Sequence, residues 1–331
     1  AELLAVALGP EQVGATLEER HDVLVGDERL HPLLLAPHAA AVGPARSQVA
    51  LIEEPHPRGR RAAAQRGFVV HDLEQALAGR AAVEHLGQRM LAQPDDSAHM
   101  EAFRLLLGQH IDTVVQTEAR DLLMLAINHG IRRINEGDRS ALRITLDFYL
   151  LGLEKRLLQD ENGVLSKYTY NNVLMNFLAL EEWEKAAQFL EQYRSQLPPK
   201  EEENTYRYNL AIYHFRKGDF DITLELLRNV NFPDAMYNLE ARKMLLKIYF
   251  EQGASDALES TLENLLTWLR RHGEIGYHRE MYRNLARFTG RLLRLAPGDG
   301  DARNRLYKKI RDTPLVAERM WLLEKLKSNR S

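Results

Sequence analysis

From residue 101 onward, apolar residues recur at helical spacing almost without a break. In ARDLLMLAINHGIRRINEGD (119–138), Leu122, Leu123, Leu125, Ala126, Ile127, Ile131 and Ile134 form one broad stripe, which predicts an amphipathic helix. The helix is expected to stop at NEGDR, where Gly137 can take the left-handed conformation that closes many helices. ALRITLDFYLLGLEKRLL (141–158) follows at once and stops at DENG. Two amphipathic helices joined by so short a loop predict an antiparallel hairpin.

Three later stretches share one frame. In TYRYNLAIYHFRKGDFDITLELLRNV (205–230), Leu210 and Ala211 are followed by Phe215, a GDFD turn at 218–221, and Leu226 and Leu227. Thirty-five residues on, ARKMLLKIYFEQGASDALESTLENLL (241–266) repeats the order with Leu245, Leu246, Phe250, Gly253, Ala257 and Leu262. Thirty-seven residues earlier, YNNVLMNFLALEEWEKAAQFLEQY (170–193) does the same with Val173, Leu174, Leu178 and Leu190. Such self-similarity is the mark of a helical solenoid, whose hairpins bury their apolar faces only by stacking. Within LEEWEKAAQFLEQY (180–193), Glu181, Glu182 and Glu184 read as charges favoured at a helix N-terminus rather than as paired catalytic carboxylates. Trp183, Ala186, Ala187 and Leu190 are expected to face the partner helix.

This frame resembles the tetratricopeptide repeat, a helix-turn-helix of about 34 residues. Ala186 matches the small residue where the family's two helices cross, Pro198 the proline closing helix B, and Trp183 and Phe220 the aromatic after the turn. Thr223 and Leu258 replace the small residue in the other two units, and those units lack the proline. The likeness is best over 167–271. A second likeness covers about 101–331. LAINHGIRRINEGD, ENGVLSKYTYNNV, NTYRYNLAIYHFRKGDFD, YNLEARKMLLKIYFE, LLRLAPGD and ERMWLLEKL look like the C-terminal part of large uncharacterised bacterial helical-repeat proteins. That likeness brings no activity with it. It implies that residues 1–100 are foreign to the usual architecture and that upstream repeats are missing.

The expected fold is therefore all-α: a right-handed α-solenoid of antiparallel hairpins over 101–331, with a poorly structured N-terminal segment. TPLVAERMWLLEKLK (313–327) reads as the terminal capping helix, with Thr313 at its N-cap, Pro314 at its first position, and Glu318, Arg319, Glu324 and Lys327 on an outer face. If the units pack as the family's do, the first helix of each lines a concave groove. That face carries Asn171, Met175 and Leu178, then Tyr208, Asn209, Ile212, Phe215 and Arg216, then Lys243, Lys247 and Phe250. Asn209 matches one position of the carboxylate clamp that some members use. Asn171, Met175 and Glu240 depart from that clamp. A mixed aromatic and basic groove suits an extended or helical peptide with acidic residues. The same side chains are equally suited to filling the space between repeats.

Composition changes near QPDDSAHM (93–100). Residues 1–100 hold no Lys, Asn, Tyr or Trp and a single Phe, Phe68, whereas all the Lys, Tyr and Trp lie beyond. Within them, residues 71–93 read as a helix capped by Asp72, and SQVALIEE (47–54) as a short strand. Seven of the 12 histidines fall in this segment without the spacing of a metal site. So biased a stretch is also what a start placed too far upstream would give, with Met100 as the first residue.

The chain has 331 residues, a net charge of −3 and no cysteine, which excludes disulfides, thiolate zinc sites and cysteine nucleophiles. A balanced charge points away from nucleic acid and anionic membranes, and no apolar run reaches the ~18 residues that span a bilayer. There is no Gly-rich phosphate loop and no GxSxG elbow. APGDGD (296–301) lacks a full calcium-ligand set and reads as a turn with a helix start. His272 and His278, across a Gly-containing loop, do not make a zinc site. The expectation is a cytoplasmic, non-enzymatic interaction scaffold without cofactor or metal. It would bind a protein or peptide, not nucleic acid or membrane. The alternative is a regulatory helical domain that controls a separate enzyme or a transcription or signalling partner.

Overall fold

A computed structural model of the chain describes residues 97–228, 235–273, 275–296 and 298–328, together with Ala82, Val83, His85 and Gly87. The described residues are all-helical, with no strand among them. The chain divides into two units, and the described part of the first ends at Gly163 while that of the second begins at Val164. The strand expected at 47–54 lies outside the described residues. Of the helix expected over 71–93, the four described residues are helical.

The first unit contains α1 (Ser97–His110), α2 (Gln116–Asn135) and α3 (Ala141–Glu154). α2 ends where the sequence places its end. Gly137 has φ +89°, its N–H donates to the Ile134 carbonyl at 3.0 Å, and the Asp138 N–H donates to that of Arg133 at 2.9 Å. α2 and α3 pack closely because two glycines let them. A Cβ on Gly130 would meet Thr145 Oγ1 at 2.0 Å and Met100 Cε at 2.9 Å. A Cβ on Gly152 would meet Leu123 Cδ2 at 2.5 Å. Met100, Phe103, Leu107, Leu123, Leu142, Leu146 and Phe148 fill the space between the helices and are all fully buried. Val83 is buried too, and a Cβ on Gly87 would lie 3.3 Å from Phe103. Val83 and Gly87, ahead of Met100 in the chain, thus pack against this unit's helices.

The second unit runs through α4 (Lys167–Ala179), α5 (Trp183–Tyr193), α6 (Glu202–Lys217), α7 (Phe220–Arg228), α8 (Ala235–Glu251), α9 (Ser255–Arg271), α10 (His278–Leu293), α11 (Gly300–Asp312) and α12 (Arg319–Ser328). The three units of the shared frame correspond to the pairs α4–α5, α6–α7 and α8–α9, and within each pair the helices pack on each other. Their turns are short for stated reasons. Gly218 (φ +86°) and Gly253 (φ +65°) supply left-handed residues, and Glu181 takes φ +59° in the first turn. Ser166 caps α4 by accepting from the Thr169 N–H at 3.0 Å, and Asp299 caps α11 by accepting from the Ala302 N–H at 2.8 Å. Residues 298–301 of APGDGD thus lead into a helix. Ala186, Thr223 and Leu258, which hold the same place in the three units, are all buried.

Trp183, at the first position of α5, is half-buried, and its ring meets that of Tyr213 edge to face with centroids 6.1 Å apart. One local expectation is corrected. The terminal helix starts at Arg319, not at Thr313. Thr313 instead ends α11, donating its hydroxyl to the Lys309 carbonyl at 2.6 Å. Residues 314–318 cross over in irregular conformation, and Glu318 points inward rather than out.

Candidate functional site: the shared face of α4, α6 and α8

The first helices of the three units bring the candidate residues onto related faces, but mostly beneath the surface. Asn171, Met175, Tyr208, Asn209, Ile212 and Lys243 are buried. Phe215, Arg216, Lys247 and Phe250 are half-buried. The reason is that neighbouring first helices close on one another. α4 packs on α6, and the Tyr208 ring of α6 stacks on Tyr237 of α8 with centroids 4.6 Å apart and planes 19° apart. Tyr168 of α4 leans on the same Tyr237 at 6.4 Å and keeps 41 % of its surface exposed. Lys167 lies over both rings, at 5.5 and 5.8 Å, while pairing with Glu201 at 3.0 Å. Such cation–aromatic contacts strengthen as water is excluded. Asn209 donates its amide to the Thr205 carbonyl at 2.8 Å, as Asn176 does to Asn172 at 2.8 Å. These side chains tie each helix to itself rather than offering a carboxylate clamp.

Towards the C-terminal end of the face lies a cluster of buried charge. Lys243 contacts Glu240 at 2.5 Å and Glu318 at 3.2 Å, and Lys247 contacts the other oxygen of Glu318 at 2.6 Å. The Tyr282 hydroxyl, from α10, donates to Glu240. Glu240, Lys243 and Tyr282 are each less than 5 % exposed. Burial alone would raise the Glu318 carboxyl, but the two ammonium groups override it and hold it down to about 2. Glu240 goes the other way. Burial pushes its carboxyl well up, the negative Glu318 adds to the rise, and Tyr282, Lys247 and Arg216 offset only part of it. Burial, reinforced by Glu240, also pushes the Tyr282 hydroxyl well up. Two carboxyls thus share the same cations and are held in opposite directions.

Beside the cluster, Trp321 of α12 sits edge-on to Phe250 at 5.1 Å and lies 5.4 Å from the Lys247 ammonium. Its indole N–H donates to Glu251 at 3.0 Å, and Lys325 pairs with the same carboxylate at 2.6 Å. The chain's own C-terminal segment therefore holds the third-unit candidates Lys243, Lys247 and Phe250. The sequence reading singled out the lysines but missed their partners. The signal on α8 was the run Glu240, Lys243, Lys247, Glu251, at i, i+3, i+7 and i+11, two lysines flanked by two glutamates along one stripe.

Comparison with protein-family models, curated proteins and solved structures finds no match to this chain. Among the described residues, no group of three or more His, Asp or Glu side chains could hold a metal ion. No described helix is long and apolar enough to cross a membrane.

Proposed function

We propose that the second unit is a protein–protein interaction module, a right-handed array of helical hairpins like tetratricopeptide repeats, that takes a peptide or helix along the face of α4, α6 and α8. The observation that supports this best is the set of half-buried and exposed side chains on that face. Tyr168, Phe215 and Arg216 put aromatic surface and positive charge side by side on successive helices, and Lys247 and Phe250 continue the face beneath the C-terminal segment. Such side chains contribute strongly to binding when a partner finishes their desolvation. Asn171, Met175, Tyr208, Asn209, Ile212 and Lys243 then act from below, fixing the face rather than touching the partner. No reaction is assigned to it.

The test is site-specific photo-crosslinking in native lysate. A benzophenone side chain is placed at position 216 on the face, or at position 188, on the exposed side of α5. The expected outcome is one dominant adduct from position 216 and none from position 188. Equal labelling from both positions, or no adduct from 216, would overturn the groove reading.

A further inference from the structure

The stripe of α8 formed by Glu240, Lys243, Lys247 and Glu251 carries charges of both signs, as a solvated helix face does. It is nevertheless covered, by residues 318–325 of the same chain. The cover is matched to it group by group. The Glu318 carboxylate takes Lys243 and Lys247, the Trp321 ring takes Lys247 and Phe250, and Lys325 takes Glu251. The connection to α11 is irregular, and Glu318 is held at φ +55°, a left-handed conformation that a Glu adopts only under constraint. Unpaired from α8, Glu318 is free to leave that conformation.

We propose that the segment 313–327 is an exchangeable occupant of the α8 part of the groove, standing where a partner helix with an acidic residue three positions before an aromatic would bind. The inference rests on the groove reading above and gives its partner a chemistry. Val316, Leu322, Leu323 and Leu326 are buried in the core that α10 and α11 share. The Leu315 carbonyl accepts from Asn284 at 2.8 Å, and that of Leu326 from Arg303 at 2.8 Å. Opening is therefore a rare, sub-global event, and the incoming helix must replace apolar contacts as well as charge. It must carry leucine-like residues one, two and five positions after its aromatic, as this chain does after Trp321. Covering α8 from within makes partner affinity depend on how often α12 leaves.

Two measurements on the full chain test this. The first is native-state hydrogen exchange on the wild type across low urea concentrations. The α12 amides are expected to exchange through an opening of their own while α8 and α10 stay protected. Amides of α12 that open only together with α8 and α10 would overturn the proposal without any variant. The second is fluorescence anisotropy with a labelled synthetic peptide of residues 313–327. A chain carrying Glu318→Gln is expected to bind it at least ~10-fold more tightly than the wild type does, a gain of about 1.4 kcal/mol. A peptide carrying Trp321→Ala is expected to lose that binding. A Glu318→Gln chain that keeps its helical ellipticity yet binds no peptide would overturn the proposal. The groove reading fails separately, through crosslinking from position 216 on α6.

Discussion

Two contacts in this chain exclude water by opposite means. In the first unit, α2 and α3 meet through Gly130 and Gly152, with Thr145, Leu123 and Leu158 filling the space that a Cβ would need. In the second, α8, α10 and the segment before α12 meet through Glu240, Lys243, Lys247, Tyr282 and Glu318. The first contact is specified by shape. It tolerates almost no added volume, and only neutral groups fill it. The second is specified by charge balance. It tolerates volume-conserving changes but not the loss of one sign, and its strength depends on pH.

The largest effect is expected where the charge balance is broken. Glu318→Gln keeps the shape but leaves Lys243 and Lys247 with Glu240 as their only carboxyl in the cluster. Removing one partner of a buried ion pair costs about 3–5 kcal/mol. The urea midpoint of the second unit should fall accordingly, and a loss below ~1 kcal/mol would show that the cluster is well solvated. Next in size is Gly130→Ala. In an ordinary helix interior that change gains about 1 kcal/mol. Here the new methyl meets Thr145 and Met100, so a cost of about 1–3 kcal/mol is expected. Gly108→Ala on α1, with nothing within 4 Å of its Cβ, is the matched control and should stabilise. If the two variants shift the thermal midpoint alike, steric fit is not what brings α2 and α3 together. Smaller again is Ser166→Ala. It removes the acceptor for the Thr169 N–H and should cost about 1 kcal/mol in the second unit's unfolding free energy at any pH.

Legibility in the sequence follows the same division. Most of the helices, the turns at Gly137 and Gly218 and the burial of Ala186 were readable, because each depends on neighbours within one or two helical turns. The candidate face was half readable. Periodicity says that Tyr208, Ile212 and Lys243 lie on related faces, but not that the next helix or the C-terminal segment covers them. Glu318 was placed on the wrong side for that reason. Its position was inferred from a helix starting at Thr313, whereas its partners lie on α8, more than 70 residues earlier. No local pattern encodes such a contact. The mixed charges on α8 showed only that a complement was possible.

Glu240→Gln sharpens the comparison most, and at low pH, where the carboxyl is neutral, its effect is the smallest. Facing Glu240 are Tyr282 from α10, Lys243 and Lys247 from α8 itself, Glu318 from the C-terminal segment and, at longer range, Arg216 from α6. The Glu240 carboxyl is raised well above its ordinary 4.5 in the folded chain. Its contribution to stability is therefore fully present below pH 4.5 and declines as pH rises through the raised value. Glu318, held down to about 2 from 4.5, contributes above pH 4.5 and loses that contribution as pH falls towards 2. Between them, the two groups should make the second unit most stable near pH 4.5, with a decline on each side. The Gln side chain still accepts from Tyr282 but carries no charge to desolvate. Urea midpoints of wild type and variant should then nearly coincide at low pH and separate as pH rises, with the variant the more stable. The opposite sign at high pH would mean that Glu240 stays ionised against Lys243. The cluster would then be two separate ion pairs, rather than one carboxylate gripped by two lysines beside a neutral acid.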